Sequence, residues 1–256
     1  MAYVTFTDSL GNTITNYGYM VQIWNYLKGK GYTDNGVAGM MGNLYAESKC
    51  VPYICQGNNT YPFSASQTYT SNVNNGTITE YQFVHYGSNG TTAANKGYGL
   101  AQWTINARKQ PLYTKWSPGG YSSIGSSNLA LDYLYDELSG NRANGALDYS
   151  NVGNVMRSAG KTIREVSNYV LLNFENPKDK SDKVKQIRYN WSHAIYEYMT
   201  QTVTPVDPSD DGSGTGGGGG GGEGKPSPTI NRGDGKILSM IRPHIKKGKG
   251  KIGWRY

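Results

Sequence analysis

The chain has few of the residue types that build metal and redox sites. Its 256 residues include two cysteines and three histidines, and His85, His193 and His244 lack the paired spacing of a zinc peptidase. A glycine-rich phosphate-binding loop is also missing from the sequence. We therefore predict no metal and no cofactor, and zinc-dependent hydrolysis and nucleotide chemistry are not leading functions.

The two cysteines, Cys50 and Cys55, are close in sequence, with Pro52 between them. This spacing allows a disulfide that closes a small loop, and it equally allows two free thiols. A Cys/His hydrolase that uses either thiol with His85 is disfavoured, because the glycine–tryptophan context of a catalytic cysteine is missing.

Long apolar runs are also missing. No segment approaches the ~20 apolar residues of a membrane helix, so we predict no transmembrane segment. Residues 1–10 show no basic stretch followed by an apolar run and do not read as a secretory signal. If the protein works outside the cell that makes it, something else carries it there.

Most of the chain has no net charge. Of the total of +7, all comes from residues 232–256, which hold eight Lys and Arg side chains against Asp234. This basic tail suits an anionic polymer such as teichoic acid, DNA or a lipid surface, without specific nucleic-acid recognition. A solvated extension, or the start of a further module, is the alternative.

Phenylalanine is scarce, with 4 residues, whereas tyrosine is abundant, with 22. Together with many Asn, Gly and Ser residues, this composition predicts a polar surface that still offers flat rings. Such a surface suits carbohydrate or polymer contact, because a ring stacks on a sugar face while its hydroxyl stays hydrated. A compositional drift without functional meaning is the alternative.

Composition divides the chain into three parts. Residues 1–200 are long enough to bury a core and form the main domain. Residues 201–231 contain prolines, an acidic run and seven consecutive glycines, which predict a flexible linker. Residues 232–256 form the basic tail.

The main domain is predicted to have an α+β fold that is predominantly helical. Residues 57–97 are rich in Asn, Thr, Ser, Tyr and Gly, and their short alternating stretches predict one or two β-hairpins. Helical periodicity appears at 16–30, 105–116, 127–138, 150–158, 162–175 and 180–200. A further helix is predicted to begin at the capping residues Thr33, Asp34 and Asn35 and to end near Ser48.

A single carboxylate, Glu47, ends the second predicted helix. The helix is apolar through Met40, Met41 and Leu44, which places Glu47 at the edge of the core. A carboxylic acid that is partly buried against apolar groups can protonate a glycosidic oxygen. An exposed glutamate in the last turn of an amphipathic helix is the alternative.

The segment Gly97–Trp103 carries glycines, an amide and aromatic rings. Gly97 and Gly99 allow a tight turn, and Gln102 offers donors and an acceptor for sugar hydroxyl or N-acetyl groups. Tyr98 and Trp103 offer rings. A turn that leads into a helix, with Trp103 in the core, is the alternative.

These segments resemble the phage tail lysozyme family, a branch of the lysozyme-like superfamily that includes goose-type lysozymes and lytic transglycosylases. The match comprises five elements in the family's order over roughly residues 30–196. They are Gly42-Asn43-x-x-x-Glu47-Ser48, Gly97–Trp103 followed by Arg108, Leu131–Leu138 (the "QxxYLxxEL" helix), Phe174–Pro177 (the "FExP" element), and Arg188 with Ala194 in the final helix.

The resemblance implies a helical lysozyme-like fold with a small β-lobe across a cleft. It implies that Glu47 is the general acid for cleavage of the β-1,4 bond between N-acetylmuramic acid and N-acetylglucosamine. Gln102, Trp103 and Tyr98 would then line the cleft, and Ser48 would be a helix-end residue.

A second catalytic carboxylate is harder to identify from the sequence than Glu47. Glu80 lies in the predicted hairpin region and is the only acidic residue between Glu47 and Asp132, so it is our candidate for the base of an inverting hydrolase. A surface glutamate is the alternative. Without a base, the reaction becomes that of a lytic transglycosylase, in which a hydroxyl of the sugar itself attacks.

The leading function is that of a virion-associated peptidoglycan hydrolase at the phage tail tip, which opens the host wall for genome entry. Its partners would be peptidoglycan and other tail proteins. A holin-released endolysin explains the missing signal equally. An inactive lysozyme fold that serves as a structural or wall-binding tail module is the rival from another class.

Overall fold

The computed structural model describes residues 3–86, 96–117 and 120–202, so nearly all of the predicted linker and the whole basic tail lie outside the described residues. The described part is mainly helical with one two-stranded antiparallel sheet, which confirms the predicted α+β class. The strands are β1 Val4–Thr7 and β2 Thr13–Asn16. The helices are α1 Met20–Gly29, α2 Asp34–Ser48, α3 Ser64–Asn74, α4 Glu80–His85, α5 Asn106–Trp116, α6 Ser127–Ser139, α7 Ser150–Arg157, α8 Ile163–Val170 and α9 Asp182–Thr202.

Helix α2 lies at the centre of the fold and begins where its capping residues predict. The Thr33 side chain accepts a hydrogen bond from the Gly36 amide, which satisfies a free donor of the first turn. A Cβ on Gly39 would lie 2.7 Å from Val166 of α8, and one on Gly42 would lie 2.0 Å from Ser192 of α9. The two glycines therefore let α8 and α9 approach the α2 backbone directly.

The predicted β-hairpins at residues 57–97 are wrong, because α3 and α4 occupy this segment. Helix α3 buries Ser66, Tyr69, Thr70 and Val73, which is a helical spacing carried largely by polar residues. The sequence does not predict this helix, because Ser, Thr and Asn have low helix propensity. The helix forms because burial of one of its faces outweighs that propensity. Residues 87–95 of this segment lie outside the described part.

The short helix α4 begins with a capping box that sequence reasoning missed. Thr79 accepts from the Gln82 amide, and the Gln82 side chain accepts from the Thr79 amide. These reciprocal bonds start a helix where the alternation of apolar residues favoured a strand.

The sheet lies at the N-terminus instead and is held against α2 and α9. The Thr15 amide donates to the Tyr45 hydroxyl at 2.9 Å, and the Asn16 side chain donates to the Tyr198 hydroxyl at 3.1 Å. Asp8, in the turn between the strands, accepts from His193 of α9 at 2.8 Å.

The two cysteines are free thiols, and both are buried. The disulfide is therefore not formed in this structure, and the alternative of two thiols applies. Burial raises the pKa of the Cys55 thiol to about 12, which keeps it protonated and unreactive. In the part of the chain that the structure describes, no helix is long and apolar enough to cross a membrane.

Candidate active site

Glu47 lies in the last turn of α2, at the boundary between the core and solvent. Leu44 and Tyr45 just before it are buried, whereas the Glu47 side chain keeps 24% of its surface exposed. Lys49 adopts a left-handed backbone conformation with φ of 56° and ends the helix. The carboxylate is thus attached to a rigid element and remains within reach of a ligand.

Arg188 of α9 holds the Glu47 carboxylate from one side. Its Nη2 donates to Glu47 Oε1 at 2.5 Å, while its Nη1 donates to the Asn43 carbonyl at 2.8 Å. The guanidinium is largely buried, with 11% of the side chain exposed. A buried cation with two fixed partners orients the carboxylate.

Ser48 joins the end of α2 to the segment Gly97–Trp103. Its hydroxyl lies 2.6 Å from the Leu100 carbonyl and 3.0 Å from the Leu44 carbonyl within the helix. The hydroxyl is buried, so this link is shielded from water. Ser48 is therefore a helix-end residue that fixes the turn beside Glu47.

The segment Gly97–Trp103 is a tight turn closed by backbone hydrogen bonds between Tyr98 and Trp103. Gly99 has φ of +82°, and a Cβ there would lie 2.9 Å from the Trp103 ring. Gln102 also has positive φ, at 45°, and its Nε2 donates to the carbonyls of Ile54 and Gly99 at 2.9 and 3.0 Å. These two bonds fix the orientation of the half-buried Gln102 amide.

Tyr98 and Trp103 do not offer ring faces to a ligand in this structure. Tyr98 is 1% exposed, and its hydroxyl is 2.8 Å from the Thr70 hydroxyl. Trp103 is completely buried, and its indole nitrogen donates to Glu137 at 2.9 Å. The expectation that both rings line a cleft is therefore corrected, because the turn directs them into the core.

A buried ion pair between Arg108 and Glu137 contacts the Gly97–Trp103 turn through Trp103. Arg108 of α5 donates through Nε and Nη2 to the two carboxylate oxygens of Glu137 on α6, both at 2.8 Å. Its guanidinium also lies over the Phe174 ring, 4.5 Å from the centroid. With Trp103 donating to the same carboxylate, Glu137 is fully engaged in holding the fold.

A second carboxyl group, that of Glu175 in the "FExP" element, lies near Glu47. Glu175 ends the π-helical turn Leu171–Glu175 that follows α8, and Asn176 after it is left-handed with φ of 47°. The residue as a whole is only partly covered, but its Oε1 is buried and has no hydrogen-bond partner among the described residues.

The surroundings of Glu175 favour its protonated form. Burial and the negative charge of Glu47 raise its pKa to about 8, although Arg108 and Arg188 act in the opposite direction. A neutral carboxyl group therefore lies next to the Glu47–Arg188 pair at neutral pH. The presence of a glutamate in the motif was the one signal in the sequence that pointed to this position.

Glu80 is placed differently from the other two. It lies in the first turn of α4, is exposed, and accepts from Gln110 of α5 at 2.6 Å. No described hydrogen bond or ion pair joins Glu80 to Glu47, Gln102 or Arg188. The described contacts therefore join Ser48, beside Glu47, to the Gly97–Trp103 turn, whereas the described hydrogen bond of Glu80 is with Gln110.

The assembled groups can carry out acid–base chemistry. Glu47 can exchange a proton with a bound molecule, Arg188 can stabilise the anion that remains, and the neighbouring Glu175 can hold a proton. Over residues 3–86, 96–117 and 120–202, no three His, Cys, Asp or Glu side chains are grouped so as to hold a metal ion.

Comparison with known proteins gives the chain a family. No curated protein matches it. The family model described as Phage tail lysozyme matches residues 19–199, from just before α1 to the last turn of α9. This match covers well over half of the chain and includes Glu47, the Gly97–Trp103 turn and the Phe174–Pro177 element. The chain therefore belongs to the phage tail lysozyme family.

Proposed function

We propose that the protein is a peptidoglycan hydrolase that cleaves the β-1,4 bond between N-acetylmuramic acid and N-acetylglucosamine, with Glu47 as the general acid. The family suggests a lysozyme-like action on peptidoglycan. The observation that carries the proposal is the Glu47 carboxylate at the end of α2, partly exposed and held by Arg188.

In this mechanism, Glu47 acts in its protonated form and donates the proton to the glycosidic oxygen as the bond to the anomeric carbon breaks. The leaving sugar departs as an alcohol, and Glu47 becomes a carboxylate. Arg188 stabilises this anion through its 2.5 Å contact with Oε1. The Gln102 amide, fixed by its bonds to Ile54 and Gly99, is our candidate for a contact with a sugar substituent.

The attacking group determines the reaction class. A water molecule activated by a base gives hydrolysis, and Glu80 is the base that we proposed from the sequence. An attack by a hydroxyl of the muramic acid gives a lytic transglycosylase and needs no such base. This second reaction is therefore kept as the alternative.

The biological role that we propose is wall opening by a virion-associated enzyme at the tail tip, which aids genome entry. The family is that of phage tail lysozymes, which supports a tail-associated protein that acts on the cell wall. Release as an endolysin is the alternative route to the same substrate. A tail module that has a lysozyme fold but no enzymatic activity, and that serves a structural or wall-binding role, is the other alternative.

Digestion of purified peptidoglycan with the wild-type chain and with Glu47→Gln tests these proposals, with products read by mass spectrometry. Reducing muramic-acid ends from the wild type only would support a muramidase, and products lighter by one water would identify a transglycosylase. Glu165→Gln is the matched control, because this exposed glutamate lies at the start of α8 and glutamine preserves its capping box. Wall binding without cleavage by the wild type would reject the enzyme.

A further inference from the structure

A groove of about 470 Å³ lies between the end of β2, the segment after α2, helix α3 and the segment before α6. This volume is within the range of small-ligand sites. Five tyrosines and one phenylalanine supply its aromatic part, and amide and hydroxyl side chains supply most of the rest. The lining residues are Tyr3, Tyr17, Tyr19, Tyr53, Tyr61, Pro62, Phe63, Gln67, Thr70, Ser71, Asn74, Ser123 and Gly125.

The aromatic residues form a connected platform. Tyr61 stacks on Tyr17 with ring centroids 5.6 Å apart and meets Tyr3 and Phe63 edge-on at 5.1 and 5.6 Å. Tyr61 and Tyr3 nevertheless keep 47% and 53% of their surface exposed. Rings that support one another and remain exposed are preordered for a flat apolar ligand face, so little side-chain entropy is lost on binding.

The opposite side of the groove is polar and fixed by internal hydrogen bonds. Asn74 of α3 donates to the Ser123 hydroxyl at 2.9 Å and accepts from the Ile124 amide at 2.9 Å. Gln67 donates to the Tyr53 hydroxyl at 3.4 Å. None of the described lining residues carries a charge. The groove thus combines stacking rings with neutral hydrogen-bonding groups.

The groove is separate from the site around Glu47. Glu47, Gln102 and Arg188 are not among its described lining residues. The buried Tyr98 stands between the two places, since its backbone closes the turn beside Ser48 while its hydroxyl bonds Thr70 on the groove wall. A ligand that contacts only these lining residues would therefore not touch the Glu47 carboxylate.

We propose that this groove is a second binding site, which takes an uncharged stretch of glycan built from N-acetylhexosamine units. Sugar rings have apolar faces that stack on tyrosine, and their hydroxyl and acetamido groups match amide and hydroxyl side chains. A wall stem peptide carries ionised groups, for which the described lining offers no opposite charge. The identity of the glycan as part of the wall rests on the proposed function, whereas the site itself does not.

Binding of N-acetylglucosamine tetramer to the full chain carrying Glu47→Gln tests the proposal by calorimetric titration, because this background cannot consume the ligand. Tyr61→Ala removes the central exposed ring and is expected to raise the Kd about tenfold, as expected for loss of one stacking face. Gln67→Ala is a second variant at an exposed α3 position, where alanine favours the helix and folding is not at risk. It is expected to weaken binding severalfold.

Tyr81→Ala is the matched control, since Tyr81 is 59% exposed on α4 and does not line the groove. It should bind the tetramer like the parent chain. Equal affinity in the parent, Tyr61→Ala and Gln67→Ala chains, with unchanged Tm, would overturn the proposal, as would binding of a free stem peptide that Tyr61→Ala abolishes. Absence of wall cleavage by the wild type would contradict the proposed hydrolase activity. The titration would still show whether the groove binds the tetramer.

Discussion

The two glutamates near Arg108, Glu137 and Glu175, differ in how completely their carboxyl groups are hydrogen-bonded. Glu137 receives three hydrogen bonds, two from Arg108 and one from Trp103, and it lies in a fully buried ion pair. Glu175 has a buried Oε1 without a partner and borders the Glu47–Arg188 pair. The Glu137 carboxylate, which is fully hydrogen-bonded to protein groups, therefore stabilises the fold. The Glu175 carboxyl group, which has an unpaired oxygen beside the partly exposed Glu47, can instead take up and release a proton. The region of Glu137 should therefore govern stability, and the region of Glu47 and Glu175 should govern pH behaviour and activity.

The largest effect is expected from Glu47→Gln, which should reduce wall cleavage by at least about 100-fold, the usual contribution of a general acid. Glutamine can still accept the Arg188 hydrogen bond, so Tm should change by only a few degrees at most. Turbidity clearing of wall suspensions and thermal unfolding measure the two quantities. A large drop in Tm together with lost activity would remove the distinction between the two regions.

Glu137→Ala should show the reverse pattern. It leaves Arg108 and the Trp103 indole buried without their partner, which is expected to lower the free energy of unfolding by roughly 3 to 5 kcal/mol. Chemical denaturation measures this change. Asp182→Ala is the control, because its carboxylate is 97% exposed in its ion pair with Lys185 and should contribute less than about 1 kcal/mol. Similar losses in both variants would contradict a special role for the buried pair.

Glu175→Gln should change the pH dependence of stability. The folded protein keeps a proton on Glu175 up to about pH 8, whereas the unfolded chain loses it near the ordinary glutamate value, so stability should fall as pH rises through this window. Glutamine stays neutral and should flatten that part of the Tm profile. Glu165→Gln is the control, since hydrogen bonding, chiefly by the Thr162 amide, lowers the pKa of Glu165 to about 2 and both states are ionised in the window. An unchanged slope in Glu175→Gln would mean that Glu175 is ionised in the folded protein.

The smallest effect is expected from Glu80→Gln if the reaction is that of a lytic transglycosylase, which needs no base, and wall cleavage should then stay within about twofold of the wild type. Its carboxylate is exposed and accepts a hydrogen bond from Gln110. Initial rates of product release measure the effect. A loss similar to that of Glu47→Gln would instead identify Glu80 as the base and establish hydrolysis.

Much of the helical framework could be predicted from the sequence, because its signals are local. The Thr33 cap, the glycine face of α2 and the apolar periods of α6 and α9 each act within one or two turns. Helix α3 could not be predicted, since its buried face consists largely of Ser, Thr and Tyr and is recognised only by what it packs against.

The site could be predicted only in part for a related reason. The position of Glu47 follows from the end of its own helix, but its partner Arg188 lies on α9, 141 residues away. The burial of Tyr98 and Trp103 depends on Thr70 and Glu137, which belong to other helices. Motif spacing identifies such residues without revealing on which side of the turn their rings lie.

The hydrogen bond from Ser48 to the Leu100 carbonyl has an evolutionary consequence. Together with the bonds that the Gly99 amide and the Gln102 side chain donate to the Ile54 carbonyl, it holds the two ends of the intervening stretch, residues 49–99, close to each other. Length changes in the parts of this stretch that make no contact with the turn are then expected to leave Glu47 in place, because the entropic cost of closing a loop grows only slowly with its length. Such parts can vary while Glu47 and the turn beside it stay the same.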